Sequence, residues 1–266
     1  MNFTKTPIVL ITGFKSGTWF MRRVLTEMTG MGFYEPKILP GEKKYYNLEQ
    51  LNFKENYFYS WHIIPTKDIV EKLNRYNAKT IFVLRNIFDV VVSIYYHFYN
   101  DIDADIGRGN SKDKFLKNFN FKDGISLIIT GFDEGNGLRW NGLNEIIIHY
   151  NEMLKASLLC ESIIFDFDNL VQNKINSYEK IDSLLELKLS HSVIENIAEI
   201  TSFKSMKEQA QINKVGLSHF REGKPKNNRK SLNELHKIMI KQQIKLFAPD
   251  MYENAKKVKM YNITQC

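Results

Sequence analysis

Cysteine is scarce in this sequence, and its scarcity removes several classes of protein. Only 2 of the 266 residues are cysteine, namely Cys160 and Cys266, so the chain offers neither a disulfide framework nor a metal-ligand spacing. Long apolar runs are also lacking, which excludes a membrane-spanning helix. No basic segment followed by a long apolar stretch marks a leader peptide at the amino terminus. We therefore expect a cytoplasmic protein without membrane insertion.

Proline is scarce too, at 6 residues, and no repeat, low-complexity tract or linker-like stretch divides the chain. A single domain covering residues 1–266 is the simplest prediction. The formal net charge of +7 favours an anionic partner. Nucleic acid, anionic lipid and a phosphorylated cofactor all satisfy that charge, so composition selects none of them.

The chain does contain short apolar runs, and these predict buried strands at 8–11, 57–61, 81–84 and 163–167. Helical patterns lie between them. One apolar face runs from Phe20 to Met28 and closes at Gly30, a second runs from Ile87 to Phe98, and Thr66 is the expected N-cap of a third. Strands that alternate with helices indicate an α/β domain with a parallel sheet flanked by helices.

This fold class predicts where a ligand binds, because open α/β sheets bind ligands beyond the carboxyl ends of their strands. Polar residues follow the strands in four separate segments. We expect one edge of the sheet to gather residues 12–18, His62, Arg85, Asp166 and Asp168.

The segment after the first strand has the composition of a phosphate loop. Ser16, Gly17 and Thr18 lie between the strand and a helix, where backbone N–H groups and the helix terminus bind anions. The nucleoside triphosphatase pattern fails, because Lys15 precedes the second glycine instead of following it. Strand, loop and helix alone leave a mononucleotide kinase open.

The run Lys15-Ser16-Gly17-Thr18 resembles the 5′-phosphosulfate loop of sulfotransferases that use 3′-phosphoadenosine 5′-phosphosulfate (PAPS), which typically carry Pro-Lys-Ser-Gly-Thr-Thr-Trp. In this chain Phe14 stands for the proline and Trp19 for the second threonine. Phe20 stands for the tryptophan that stacks on adenine, and it still offers an aromatic face. The resemblance implies a P-loop-like sulfotransferase fold with the loop 15–20 at the donor site.

A second motif, from Arg85 to Ser93, resembles the 3′-phosphate site of the same family, with Asn86, Asp89 and Val90 also in register. Arg85 suits a phosphate because a guanidinium donates two parallel N–H bonds. Three weaker matches follow in the family's order along the chain. They imply that cofactor contacts come also from Phe167, from Thr201, Ser202 and Phe203, and from Arg221, Glu222 and Gly223.

Catalysis is expected at Lys15 and His62, assisted by Ser93. Lys15 provides a cation for the leaving phosphate, and the resemblance implies that Ser93 holds Lys15 aside until acceptor binds. His62 resembles the family's catalytic histidine, and imidazole suits proton abstraction at neutral pH. No metal is expected, since lysine and the helix terminus supply the positive charge. Ser60 and Trp61 depart from the family's Lys-Thr, which removes a second cation.

Two other candidate sites are not supported by the sequence. The histidines other than His62, with His149 among them, do not cluster. A calcium loop from Asp101 to Lys112 lacks the glycine and the glutamate at the positions that such a loop requires. The alternatives are a mononucleotide kinase-like phosphotransferase and a non-catalytic nucleotide- or RNA-binding protein. The predicted function is sulfuryl transfer from PAPS to a hydroxyl or amine of a small-molecule acceptor, without nucleic acid as partner. The sequence leaves the acceptor and the oligomeric state open.

Overall fold

Five short strands form one parallel sheet in the computed structural model, which describes residues 6–35, 53–100, 115–135, 139–213 and 228–265. In chain order the strands are β1 Ile8–Thr12, β2 Gly32–Tyr34, β3 Tyr57–Trp61, β4 Lys79–Leu84, β5 Phe132–Asp133, β6 Arg139–Trp140 and β7 Ser162–Asp166. The sheet has the order β2-β3-β1-β4-β7, and all of its neighbours pair in parallel. β5 and β6 form a separate antiparallel pair.

The predicted parallel α/β sheet is confirmed, and all four predicted strands are present. β1 is buried at every position, as expected of a strand covered by helices on both faces. β2 was not predicted. It has only three residues, of which Gly32 and Phe33 are exposed, so it shows no apolar run in the sequence.

In the part of the chain that the structure describes, the first five helices lie between the strands, as expected, and the other six follow β7. The helices are α1 Thr18–Thr29, α2 Lys67–Arg75, α3 Ile87–Tyr99, α4 Phe121–Thr130, α5 Asn144–Ala156, α6 Phe167–Gln172, α7 Lys174–Leu185, α8 His191–Ile200, α9 Phe203–Asn213, α10 Glu234–Phe247 and α11 Met251–Lys257, with 3₁₀ turns at Asn228–Ser231 and Tyr261–Thr264. Among the described residues, no helix has the length and apolar character needed to cross a membrane.

The ends of three helices lie at or next to the residues that short motifs predict. Gly30 closes α1 with φ 67°, and its N–H donates to the Thr26 carbonyl, because glycine adopts the left-handed conformation without steric cost. Thr66 is the N-cap of α2 as predicted, but its side chain makes no capping hydrogen bond. α3 begins with a true side-chain cap, since Asn86 Oδ1 accepts from the N–H groups of Phe88 and Asp89.

The chain packs as two compact units. The first unit comprises Met1–Arg85, Ile148–Thr201 and Asp250–Ile263 and contains the five-stranded sheet. An apolar cluster lies where α1, α7 and α8 cover one face of the sheet, and its members include Leu10, Leu25, Val83, Ile181 and Ile197. This core fixes the strands whose carboxyl ends carry the predicted site.

The second unit comprises Asn86–Ile147, Ser202–Pro249 and Thr264–Cys266. In it α3 packs against α4 and the 3₁₀ turn at 228–231, and α4 packs against α10. A buried ion pair joins two of these elements: the Asp89 carboxylate is fully buried and accepts from the backbone N–H, Nε and Nη2 of Arg229 at 2.8, 3.0 and 2.7 Å. The single-domain organisation of residues 1–266 stays a prediction beside this division.

Candidate active site

The carboxyl ends of four neighbouring strands meet at one edge of the sheet in the first unit. The loop 13–17 follows β1, His62 follows β3, Arg85 follows β4 and Phe167 follows β7. Because these strands are parallel neighbours, residues far apart in the sequence come together, as expected.

The loop after β1 is held close to the neighbouring strand. Gly13 N–H donates to the Val83 carbonyl of β4 at 2.9 Å, and Ser16 N–H donates to the Gly13 carbonyl at 3.1 Å, which closes a turn. Lys15 and Gly17 both adopt positive φ, at 60° and 87°. Lys15 is half-buried, and Gly17 is the N-cap of α1. This is the strand, loop and helix arrangement that the sequence predicts for an anion site.

Gly17 is required for a second reason besides its φ angle. A β-carbon at this position would lie 2.0 Å from Cε2 of Phe167, the first residue of α6. The aromatic ring therefore rests directly on the loop backbone, which only glycine permits.

The loop hydroxyls have protein partners that the sequence did not reveal. Thr18 Oγ1 lies 2.7 Å from Thr12 Oγ1, which links the start of α1 to the end of β1. Ser16 Oγ lies 2.6 Å from the phenol oxygen of Tyr150 on α5. Both hydroxyls are thus held in place before any ligand binds.

His62 has a defined tautomer. Its Nδ1 lies 2.8 Å from the Thr12 carbonyl oxygen and 3.3 Å from Thr12 Oγ1. A carbonyl oxygen only accepts, so Nδ1 carries the proton and the lone pair of the neutral imidazole is on Nε2. Phe14 packs edge-on against the imidazole, with the ring centroids 6.2 Å apart. Thr12 at the end of β1 and Phe14 in the loop therefore orient the ring, which leaves Nε2 as the nitrogen that can accept a proton.

A second histidine lies near His62. His149 on α5 is almost completely buried and hydrogen-bonds the backbone of Ile63. Desolvation, with a smaller contribution from the charge of His62, lowers the pKa of His149 to about 3. His149 is consequently neutral at physiological pH.

Arg85 forms an ion pair with Asp168, which follows β7. Arg85 Nε lies 3.6 Å from Asp168 Oδ1, and the two side chains are 13% and 4% exposed. The guanidinium carbon lies 5.6 Å from the centroid of the Phe167 ring. Phe20 meets the same ring edge-to-face, with centroids 5.8 Å apart. Phe167 thus contacts the phosphate loop, the predicted adenine-stacking residue and the predicted 3′-phosphate residue.

Two other predicted residues of the first unit face different surroundings. Trp19 is 45% exposed and packs against Phe33 of β2, with the ring centroids 6.5 Å apart. Thr201 at the end of α8 is fully buried. Its hydroxyl donates to the Ile197 carbonyl at 2.7 Å and lies 2.7 Å from the Tyr178 phenol oxygen. The side chain of Thr201 is therefore engaged within the protein.

The remaining predicted residues belong to the second unit or lie outside the described residues. Ser93 is a half-buried residue of α3. Ser202 Oγ accepts from the Ser205 N–H at 3.2 Å and so caps α9, whose first residue is Phe203. The segment 101–112, rejected as a calcium loop, and the predicted cofactor residues Arg221, Glu222 and Gly223 lie outside the described residues.

A comparison with protein families decides between the predicted classes. The family described as the Sulfotransferase domain matches residues 5–261. The chain belongs to the sulfotransferase family. Nothing in the comparisons supports the phosphotransferase or RNA-binding alternatives.

Solved structures agree with this family at the level of the fold. The chain is similar to mouse sulfotransferase SULT7A1 complexed with PAP, with a TM-score of 0.66 and 15% identity over 98% of this chain and 90% of that one. It is also similar to retinol dehydratase in complex with androsterone and the inactive cofactor PAP, with a TM-score of 0.63 and 16% identity over 96% of this chain and 82% of that one. No curated protein matches the chain.

The candidate site contains residues that sequence reasoning missed. Tyr150 and His149 sit on a helix whose apolar periodicity is that of an ordinary core helix, so neither stands out. Asp168 was placed at the correct edge, but its pairing with Arg85 was not predicted. The glycine at position 13 fits the contact with Tyr150, since a β-carbon there would lie 2.2 Å from Cε1 of the tyrosine, but this is visible only in the structure.

Proposed function

We propose that this sulfotransferase takes its sulfuryl group from PAPS and transfers it to a hydroxyl or amine of a small-molecule acceptor. The observation that carries the donor assignment is the position of Phe167, whose ring contacts Gly17, Phe20 and Arg85. A phosphate loop, a second aromatic ring and an arginine around Phe167 suit an adenosine that carries one phosphate at its 3′ position and one at its 5′ position. PAP in the similar structures supports the same donor.

Different residues of the site bind different parts of the donor. The loop 15–18 and the first turn of α1 bind the 5′-phosphosulfate through backbone N–H groups and hydroxyls. Phe20 and Phe167 offer aromatic faces to the adenine, where stacking contributes ~1–3 kcal/mol per base. Arg85 binds the 3′-phosphate, with Asp168 holding the guanidinium in orientation.

PAPS supplies the sulfuryl group together with a phosphate leaving group. His62 accepts the proton of the acceptor at Nε2, because Nδ1 is committed to the Thr12 carbonyl. Lys15 neutralises the charge that develops on the leaving phosphate oxygen. We assign the neutralisation of this negative charge to Lys15 and the N-terminus of α1. A metal ion has no role in the proposal.

Further contacts in the proposal rest on sequence resemblance alone. They are the modulation of Lys15 by Ser93, and cofactor contacts of Trp19, Thr201, Ser202, Phe203, Arg221, Glu222 and Gly223. The buried hydroxyl of Thr201 restricts that residue to a backbone contact.

Ligand-dependent melting tests the donor assignment. We expect PAP to raise the melting temperature of the protein strongly, and ATP with magnesium to leave it unchanged. Turnover of PAPS labelled in the sulfuryl group, against a panel of hydroxyl- and amine-bearing metabolites, then tests the reaction. Protection by ATP and magnesium alone would refute the proposal in favour of a phosphotransferase.

Substitution of Lys15 separates binding from catalysis. We expect Lys15→Ala to retain substantial PAP affinity and to lose nearly all turnover, because the lysine acts on charge that develops during the reaction. Lys245→Ala, at an exposed position of α10, is the matched control and should keep both properties. A variant that loses binding but turns over normally once saturated would contradict the role of Lys15.

A further inference from the structure

A buried tyrosine on α5 lies directly beneath the phosphate loop. Tyr150 has no exposed surface, and its phenol oxygen lies 2.6 Å from Ser16 Oγ. The loop also rests on the ring itself, since a β-carbon at Gly13 would lie 2.2 Å from Cε1 of Tyr150. The loop therefore contacts this residue at two separate points.

The same phenol reaches the neighbouring strand end. Burial raises the pKa of the Tyr150 phenol to about 12, and the backbone N–H of Arg85, which faces the phenol oxygen, lowers it by less. Tyr150 thus keeps its proton. The phenol has one hydrogen to donate, and donating it to Ser16 Oγ leaves the hydroxyl hydrogen of Ser16 to point elsewhere.

We propose that Tyr150 is a positioning residue that joins the two phosphate-binding elements of the site, the loop 13–18 and the strand end at Arg85. By donating to Ser16 Oγ it orients the Ser16 hydroxyl as a donor to the 5′-phosphate, and by accepting from Arg85 N–H it fixes the backbone that carries the guanidinium. This inference rests on the proposed function, which supplies the identity of the two phosphates.

Calorimetric titrations of Tyr150→Phe with three nucleotides test the proposal. The ratio of PAP affinity to that of adenosine 3′-phosphate measures what the 5′-phosphate contributes, and the ratio of PAP to adenosine 5′-phosphate measures the 3′-phosphate. We expect Tyr150→Phe to lower the first ratio about 5-fold, the effect of one hydrogen bond, and to lower the second ratio as well.

A double-mutant cycle identifies the route of the effect. Ser16→Ala should lower the 5′-phosphate ratio and leave the 3′-phosphate ratio unchanged. Tyr150→Phe added to Ser16→Ala should lower the 5′-phosphate ratio little further, because the two side chains share one hydrogen bond. Full additivity of the two substitutions on the 5′-phosphate ratio would overturn the proposed orientation of Ser16.

Tyr59→Phe is the matched control. Tyr59 is equally buried in β3, and its phenol oxygen accepts from the Lys54 N–H at 3.1 Å. We expect it to lower stability without changing either ratio. If Tyr150→Phe behaves like this control while the unmodified protein binds PAP, the positioning role is wrong and the proposed function stands. If the unmodified protein does not bind PAP, the proposed function and this inference are both wrong.

Discussion

The neutral, buried His149 should make the stability of the protein depend on pH in a defined way. In the unfolded chain histidine binds a proton near its ordinary pKa of 6.5, whereas in the folded protein burial lowers the pKa of His149 to about 3. The unfolded state therefore binds more protons between these values. The contribution of His149 is fully present above pH 6.5 and is lost as the pH falls towards 3.

The size of the effect follows from the two pKa values. Each pH unit in that interval costs about 1.4 kcal/mol of unfolding free energy, so a fall from pH 7.5 to pH 5.0 costs about 2 kcal/mol through this one residue. We expect the difference in unfolding free energy between the unmodified protein and His149→Gln to shrink by that amount over the same interval, because glutamine does not titrate.

Urea unfolding at pH 7.5 and at pH 5.0 measures the difference directly. Ile147→Val, on the same helix and equally buried, is the control: it should lose about 0.5–1.5 kcal/mol at both pH values, since no proton is involved. If His149→Gln differs from the unmodified protein by the same amount at both pH values, the histidine is not held neutral by burial and the reasoning is refuted.

Two further substitutions test packing. Gly17→Ala should weaken PAP binding at least about tenfold by calorimetry, because a β-carbon forces both φ 87° and the Phe167 ring to change; an unchanged Kd would show that the ring moves freely. Asp89→Asn should cost about 3–5 kcal/mol of stability in urea unfolding, because the substitution leaves Arg229 without its buried counter-ion, whereas a loss below about 1 kcal/mol would contradict a structural role for this pair.

The fold was predictable because its signals are local. Runs of adjacent apolar residues mark strands covered on both faces, and Gly30 marks the end of α1. β2 escaped prediction because a three-residue edge strand with exposed side chains has no such run. Thr66 is the N-cap of α2 as predicted, but its side chain makes no capping hydrogen bond. The residue type indicates where a helix begins and does not determine the rotamer of the side chain.

The geometry of the candidate site was predictable where one chain segment carries all of its residues, as in the loop around Lys15. It was not predictable where two distant segments meet. The contacts of Ser16 with Tyr150 span 134 positions, and nothing in the pattern of α5 distinguishes a phenol that supports a loop from one that fills a core. The pairing of Arg85 with Asp168 is of the same kind, because only the strand order places the two side chains together.

The cap of α3 has a consequence for synthesis of the chain on the ribosome. The side-chain amide of Asn86 donates to the Gln265 carbonyl at 2.6 Å, across 179 positions, and Arg229 Nη1 reaches the same carbonyl at 3.2 Å. The oxygen that accepts from both donors is therefore translated 179 positions after Asn86. Until residue 265 has been made, the first turn of α3 lacks this partner, so the second unit is expected to reach its final hydrogen bonding only after that point, whatever the order in which its helices form.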